Sequence, residues 1–393
     1  MSQSFDPLLI TRQGDLDRLC DTLRAEGAFA FDTEFVGEDS YQPEICLLQI
    51  ATETCHAVAD PLAADLDCTR LWNLVADPAV RKIVHAGGED LAQCMKRVGR
   101  PPANIVDLQI AAGFAGLGYP ISLSRLTSET IKVKLHKSQT LTDWRRRPLG
   151  EEQIRYAVED VIHLPAIDRH LARRLEKLGR TQWLIEECQQ LCRTVSQSSS
   201  DARRAKRLKG TATLTRKQLA VAHALLQQRD ELAQRYNRPA RAILKDHLLV
   251  ELARRGWTDI DRMRTLRGLN ISNSDLKRFS EAISAAHQSP PESWPEPPLD
   301  EPSAEEELLL SFLSTILRIY CEQHDLAYSL LATKQDLRLF LNSAQEGQTP
   351  EATPALRNGW RAGAVGDLLE RVLTGRAAVR LVRQGKSSRL VIE

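Results

Sequence analysis

The first half of the chain alternates short apolar runs with stretches of helical periodicity. Five short segments each show one of two patterns: apolar and polar residues alternate, or apolar residues follow one another without interruption. Both patterns predict strands. The predicted strands are 29–36, 45–51, 55–59, 82–85 and 105–107. Helical spacing of apolar residues predicts helices over 15–25, 71–75, 90–98 and the residues after 107. This alternation of strands and helices is typical of an α/β domain with one central sheet.

A long helix is predicted over residues 151–177, where apolar side chains recur on one face. Pro165 is expected to kink or restart this helix, because proline lacks a backbone N–H. Tyr156 and Asp160 are four residues apart and therefore share a face. The pair could approach one solvent pocket, or it could be a common Tyr–Asp surface pair. We interpret His163 as a half-buried packing residue rather than a metal ligand.

The first predicted strand carries two carboxylates in the segment Phe31-Asp-Thr-Glu-Phe35. Side chains repeat every two residues along a strand, so Asp32 and Glu34 share one face. Two carboxylates on an apolar strand repel each other and resist desolvation, and a bound cation would relieve both costs. The alternative is a strand whose acidic face meets solvent.

Changes in composition divide the rest of the chain. Serines and basic residues over 196–209 and prolines over 289–298 indicate two linkers. The residues between the linkers are helical in pattern, and helical periodicity returns over 305–373. Residues 378–392 alternate around Gln384-Gly385, which predicts a terminal hairpin. The predicted domains are therefore 1–195, 210–288 and 303–393.

A net charge of +1 over 393 residues conceals a strong segmentation. Residues 1–200 carry 23 Lys and Arg against 28 Asp and Glu, whereas residues 201–288 carry 19 against 9. A basic module that follows an acidic domain suggests contact with a polyanion. The alternative is that the basic helices present solvated faces.

Composition narrows the class of protein. No apolar run approaches the length of a membrane span, and no basic segment followed by an apolar stretch indicates a signal peptide. Eight cysteines occur without Cys-x-x-Cys or Cys/His metal spacing, which favours reduced thiols. Cys188 and Cys192, one helical turn apart, are interpreted as packing residues. The composition therefore agrees with a cytoplasmic enzyme that does not bind a membrane. We also expect a monomer, although the sequence does not fix the oligomeric state.

The ordered motifs resemble those of the DEDD family of 3′→5′ exonucleases, in the subgroup that carries a tyrosine in its third motif. The similarity is closest to the bacterial ribonuclease D family. It rests on the strand carboxylates, on His85-Ala-Gly-Gly-Glu-Asp-Leu91, on Leu135-His-Lys-Ser-Gln-Thr-Leu-Thr-Asp-Trp-Arg-Arg-Arg-Pro-Leu149 and on Tyr156-Ala-Val-Glu-Asp160. It covers about residues 5–195 closely and the remainder more loosely. Residues 214–287 resemble the helical HRDC module, and the C-terminal helices resemble a more diverged copy.

The resemblance implies a role for each motif residue. The acidic ligands of the family correspond to Asp32, Glu34, Asp90 and Asp160, and its water-orienting tyrosine corresponds to Tyr156. Asp90 is preferred over the neighbouring Glu89 because it directly precedes Leu91. The implied cofactors are two divalent cations, Mg²⁺ or Mn²⁺, which both favour oxygen ligands.

The resemblance also implies a fold and a set of substrate contacts. The fold is a ribonuclease-H-like α/β domain with a mixed, five-stranded central sheet, followed by two small all-α HRDC-type domains. The three arginines at 145–147 could hold phosphates or could form a solvated cluster. Trp144 could contact the terminal nucleotide or anchor the core. The candidate substrate-binding residues are His85, Gln139, Trp144, Arg145, Arg146 and Arg147.

The implied function is metal-dependent 3′→5′ exoribonuclease activity on structured RNAs such as tRNA precursors, releasing nucleoside 5′-monophosphates. A DNA 3′→5′ exonuclease remains an alternative, because the acidic ligands do not read the 2′-hydroxyl. A third interpretation is a catalytically inactive scaffold that binds RNA through residues 201–288. Since the excess positive charge lies outside residues 1–200, a fragment ending near Cys192 is expected to trim short oligonucleotides.

Overall fold

The protein forms two compact units. A computed structural model describes residues 7–37, 39–135, 142–197, 208, 210–295, 302–345, 354–384 and 387–393. Within these residues, the first unit comprises the parts of the chain up to 33, from 47 to 193 and from 302 onward. The second comprises the parts from 34 to 46 and from 194 to 301.

The central sheet has six strands, one more than predicted. The strands are β1 Leu8–Ile10, β2 Ala28–Val36, β3 Glu44–Ala51, β4 His56–Ala59, β5 Arg81–Val84 and β6 Ile105–Asp107. Their order is β1-β4-β3-β2-β5-β6. The strand that the sequence did not predict is β1, which pairs in parallel with β4 at the edge of the sheet.

The sheet is mixed, as the resemblance implied. β2 pairs in parallel with β5, and β5 in parallel with β6, whereas β3 and β4 are antiparallel. The register aligns Ala30 with Ile83 and Val84 with Asp107. The carboxyl ends of β2, β5 and β6 therefore lie along one edge of the sheet, where open α/β sheets carry their sites.

The described residues of this region also form eight helices. They are α1 Gln13–Glu26, α2 Thr69–Val75, α3 Gly88–Val98, α4 Leu108–Phe114, α5 Leu123–Thr130, α6 Glu151–Ile162, α7 Leu164–Lys177 and α8 Thr181–Gln197. The sequence did not predict α5, which begins where the Ser122 side chain accepts a hydrogen bond from the backbone N–H of Arg125. The stretch 151–177 forms two helices that meet at His163, with Pro165 in the first turn of α7. Proline suits that position because the first N–H groups of a helix have no intrahelical acceptor.

The C-terminal residues form a helical layer followed by a hairpin. The helices are α14 Ala304–Gln323, α15 Tyr328–Leu331, α16 Lys334–Gln345, α17 Gly359–Arg361 and α18 Asp367–Leu373. A π-helical turn over Ala362–Gly366 joins the last two. β7 Val379–Gln384 and β8 Ser387–Ile392 pair antiparallel at the hairpin predicted from the sequence.

These C-terminal helices share one apolar core with the α/β domain. The indole ring of Trp360 lies 4.9 Å from the ring of Phe114 and 5.1 Å from that of Trp183, measured between centroids. The guanidinium of Arg180 donates to the carbonyls of Phe114 (2.7 Å) and Asp325 (3.1 Å). Since buried carbonyls need donors, these bonds help to hold the C-terminal helices against the α/β domain.

The second unit is mainly helical. Its helices are α9 Arg216–Arg235, α10 Ala240–Ile243, α11 Asp246–Arg255, α12 Ile260–Arg264 and α13 Asn273–Gln288. α9 begins with a capping box between Thr215 and Gln218, which satisfies backbone donors that would otherwise lack acceptors. Phe279, Leu225 and Leu249 belong to the core of this unit. No helix in the described part of the chain is long and apolar enough to cross a membrane.

Candidate active site

The two strand carboxylates lie near the end of β2. Asp32 and Glu34 are both half-buried, and the residue between them, Thr33, is buried. The apolar start of the strand, Phe29 and Phe31, packs into the core and fixes which way the strand faces. The side-chain alternation that the sequence predicted is therefore present around Asp32, with carboxylates on one side and packed residues on the other.

Asp90 lies in the first turn of α3 and is only 7% exposed. The Thr33 hydroxyl donates a hydrogen bond to Asp90 Oδ1, so Asp90 is held against the residue that separates Asp32 from Glu34. Burial raises the pKa of Asp90 above its usual range, and the Thr33 hydrogen bond acts in the opposite direction. The neighbouring Glu89 is exposed to solvent, which favours Asp90 as the functional carboxylate.

The loop that leads into α3 is held by Asp107, a residue that the sequence did not suggest. Its carboxylate accepts hydrogen bonds from the backbone N–H groups of Ala86 (3.1 Å), Gly87 (3.1 Å) and Gln109 (2.8 Å). A Cβ at Gly87 would lie 2.7 Å from Val84 Cβ, so the loop requires glycine there. An aspartate directly before a helix is an N-cap signal that could have revealed Asp107.

His85, a candidate substrate contact, lies at the start of this loop. Its Nε2 is 3.0 Å from the carbonyl oxygen of Ile121. Burial lowers the pKa of His85, and the nearby Asp107 raises it. The imidazole therefore already has a protein partner on its Nε2 side.

Tyr156 and Asp160 lie on one face of α6, one turn apart. The Tyr156 hydroxyl hydrogen-bonds the Asp160 carboxylate and lowers its pKa, but burial and the charge of Glu159 raise the pKa to about 6. The ionised form of Asp160 is therefore costly where it stands. A divalent cation beside it would remove that cost, which fits the proposed role of Asp160 as a ligand.

Trp144 packs beside the catalytic candidate Tyr156. Trp144 is 7% exposed, and its ring centroid lies 6.0 Å from that of Tyr156. The loop around it is held by Arg147, whose Nε and Nη2 each donate to Asp60 at 2.6 Å and whose Nη1 donates to the Trp144 carbonyl at 2.7 Å. This arrangement supports the core-anchor interpretation of Trp144 and ties the Arg147 guanidinium to Asp60.

The remaining predicted substrate contacts differ in exposure. Arg146 is exposed, and Arg145 is half-buried with its backbone N–H donating to Asp143 Oδ1 at 3.0 Å. Both could reach a phosphate. Gln139 lies outside the described residues, as does the rest of 136–141.

The donor chemistry of the site fits hard cations. The four candidate ligands are all carboxylates, and two of them, Asp90 and Asp160, have pKa values raised by burial. Among the described residues, no group of three or more His, Cys, Asp or Glu side chains is arranged to hold a metal ion. The convergence of all four carboxylates on two cations therefore stays a prediction.

Family models match two parts of the chain. The model described as 3′-5′ exonuclease matches residues 7–176, and the HRDC domain model matches residues 218–286. The first interval contains every candidate ligand and Tyr156. The second contains most of the helices of the second unit.

Curated relatives and a solved structure cover nearly the whole chain. A protein named Ribonuclease D from Gluconacetobacter diazotrophicus is 34% identical over 372 residues, which are 92% of this chain and 91% of that protein. A Ribonuclease D from Granulibacter bethesdensis is 35% identical over 365 residues, covering 92% and 91% of the two chains. The crystal structure of Escherichia coli RNase D, described as an exoribonuclease involved in structured RNA processing, has a TM-score of 0.81 and 26% identity and covers 94% of this chain and 99% of that chain.

Proposed function

This chain belongs to the ribonuclease D family and is an exoribonuclease of that type, and we propose that it trims structured RNAs such as tRNA precursors from their 3′ ends with two divalent cations. The observation that carries the proposal is the Tyr156–Asp160 pair on α6. It combines a hydroxyl that can hold a water with a half-buried carboxylate whose pKa burial raises to about 6, so a bound cation would favour its charged form. The proposed product is a nucleoside 5′-monophosphate at each step.

Each acidic residue has a proposed place in the chemistry. Asp32 would bridge two Mg²⁺ or Mn²⁺ ions, Glu34 and Asp160 would complete the nucleophile-side ion, and Asp90 would hold the second ion. When bound, the two ions stabilise the attacking and leaving oxygens of an in-line displacement at phosphorus. The Thr33 hydroxyl orients Asp90, and Asp107 fixes the loop from which α3 starts.

Tyr156 has the proposed role of holding the attacking water. Its hydroxyl now hydrogen-bonds Asp160, and the same hydroxyl can accept or donate one bond to a water at that carboxylate. The ring has little freedom to leave, because Trp144 packs beside it and Arg147 holds the Trp144 carbonyl. A tyrosine held in this way orients a water without entropic cost at the moment of reaction.

The basic second unit is the proposed contact for the body of the RNA. Several of its arginines are engaged within the unit: Arg229 and Arg241 pair with Asp246, and Arg254 and Arg255 pair with Glu251. Others are exposed to solvent, namely Arg238, Arg262, Arg264 and Arg267. The number of available phosphate contacts is therefore smaller than the number of basic residues in this region.

The proposed domain division is an exonuclease domain over 1–195, an HRDC domain over 210–288 and a second HRDC-like module over 303–393. The matches over 7–176 and 218–286 support the first two. The proposed location is the cytoplasm, where tRNA precursors are processed, and the proposed active form is a monomer.

One assay tests this function. Purified protein is incubated with a 3′-extended tRNA precursor and Mg²⁺, Mn²⁺ or a chelator, and the products are identified. We expect stepwise loss of 3′ nucleotides as 5′-monophosphates with either ion and no trimming with the chelator. A matched DNA strand in the same assay separates the exoribonuclease from a DNA exonuclease. Equal activity in the chelator would contradict the metal mechanism.

A further inference from the structure

A groove on the first unit is lined by cations that the proposed active site does not use. Its volume is about 570 Å³, and most of its lining comes from one face of α7. Residues on that face recur every three or four positions, as expected for neighbours on a helix surface. The charged and titratable lining residues are Arg169, His170, Arg173, Arg174 and Lys177. Ile131, directly after α5, also lines the groove.

The cations of this groove are poorly neutralised by the protein. Among the described residues that line the groove, none is a carboxylate. Arg169 forms an ion pair with Glu53. Among the described residues, no ion pair is present at Arg173, Arg174 or Lys177. Like charges four residues apart, such as Arg169 with Arg173 and Arg173 with Lys177, destabilise a helix.

Ordinary features of helices explain only part of this pattern. The macrodipole favours cations in the last turn, which accounts for Arg174 and Lys177. Arg169 and Arg173 lie before that turn. A generally basic domain does not explain them either, because residues 1–200 carry a net charge of −5. The concentration of positive charge on this one face therefore calls for an external anion.

The geometry suits a chain of phosphates rather than one. The cations extend over nine residues of α7, from Arg169 to Lys177, which is about 12 Å of helix axis. Arginine presents a planar fork that binds phosphate oxygens in pairs, and three of the four cations are arginines. The groove is open and polar, so a flexible strand could enter it along its length.

We propose that this groove binds the phosphodiester backbone of single-stranded RNA on the 5′ side of the nucleotide being removed. This inference rests on the proposed function, since it assumes an RNA substrate. α7 follows α6 after one residue, so Arg169 lies nine residues beyond Asp160 along the chain, on the next helix. A substrate whose 3′ end lies at Asp160 would need several nucleotides to reach it.

The experiment compares a groove variant with a control of equal charge change. The groove variant is Arg173→Gln with Lys177→Gln, and glutamine keeps helix propensity high. The control is Arg18→Gln with Arg371→Gln, two exposed positions of the same unit. Binding of a 20-nucleotide single-stranded RNA is measured by anisotropy across a salt series in chelator, so that no turnover occurs. Circular dichroism reports folding.

Two lost phosphate contacts should reduce the slope of log affinity against log salt by about 1.4 for a single strand. If affinities are equal at 1 M salt, that slope corresponds to about 25-fold weaker binding at 0.1 M. The control variant should bind RNA with the affinity and salt slope of wild type. Both variants should trim a trinucleotide at the wild-type rate. Unchanged affinity and slope in a folded groove variant would overturn the proposal. Binding is measured without turnover, so its result does not depend on the nuclease assay. A failure of the proposed function can therefore be distinguished from a failure of the groove proposal.

Discussion

Trp360 connects the C-terminal helices to the exonuclease domain, and Trp360→Ala should destabilise both together. The side chain is 4% exposed and packs on Trp183 and Phe114. Truncating a buried tryptophan to alanine costs about 3–5 kcal/mol. Its indole N–H donates to Glu187 Oε2 at 2.9 Å, but Arg361 also pairs with that carboxylate, so the variant leaves no unpaired buried charge. We therefore expect a loss of about 3–5 kcal/mol, a large share of a typical stability of roughly 5–15 kcal/mol.

Urea unfolding followed by far-UV circular dichroism measures this loss. Trp360→Phe keeps most of the ring and removes the hydrogen bond, so it should lose about 1–2 kcal/mol. Leu308→Ala is the matched control on the same helical layer, since Leu308 is 72% exposed and its truncation should change stability by about 0.5 kcal/mol or less. A Trp360→Ala protein as stable as the control would refute the shared core as a source of stability.

The same packing changes the expectation for a fragment ending near Cys192. Such a fragment lacks Trp360 and the other C-terminal residues that cover Phe114 and the start of α8. An exposed apolar patch of this kind promotes aggregation. We now expect the fragment to be unstable, and low trimming activity in it would not measure the contribution of the second unit to RNA binding.

Three further predictions concern the site and one buried lysine. Asp160→Asn should abolish Mg²⁺-dependent trimming while the circular dichroism spectrum stays unchanged, and near wild-type turnover would exclude Asp160 as a ligand. Tyr156→Phe should lower the maximal rate by about 10²–10⁴-fold with little change in the Mg²⁺ concentration for half-maximal rate. Equal losses of rate and of Mg²⁺ affinity would contradict the proposed water-holding role of the hydroxyl. Burial lowers the pKa of Lys82 from 10.5 to about 8, so the native state releases its proton first and the contribution of Lys82 to stability should rise between pH 8 and 10.5. Burial raises the pKa of cysteines such as Cys20 and Cys68, which lowers the stability of both proteins over the same range. The Lys82 gain, on the order of 1–3 kcal/mol, is therefore measured by urea unfolding as the stability of wild type relative to Lys82→Met.

Local patterns predicted most of the α/β domain. The five predicted strands and the first four helices are present within two or three residues of their predicted bounds. β1 was missed because it has three residues, two of them exposed, and joins the sheet only through its pairing with β4. α5 was missed because its sequence, rich in serine and threonine, has weak helix propensity. Both elements depend on contacts or caps that the periodicity of the chain does not contain.

The candidate site depends on contacts that are distant in sequence. The motif order identified Asp90, but its burial and its bond to Thr33 join residues 57 positions apart. Three consecutive arginines gave no sign that Arg147 would bind Asp60, 87 positions away. Asp107 was not suggested because its role is to hold a loop formed by a different strand. Sequence therefore predicts the chemistry of such a site better than the side chains that hold it in position.

The shared core has a consequence for the order in which the chain can fold during synthesis. Trp183 and Trp360, which stack at 5.1 Å, are separated by 177 residues. At about 5–20 residues per second, the ribosome needs roughly 9–35 s to make that interval. During this time the helices of the second unit are synthesised, whereas Phe114 and Trp183 still lack their cover. A nascent exonuclease domain therefore presents an apolar surface to chaperones and to neighbouring chains long after its own strands have been synthesised.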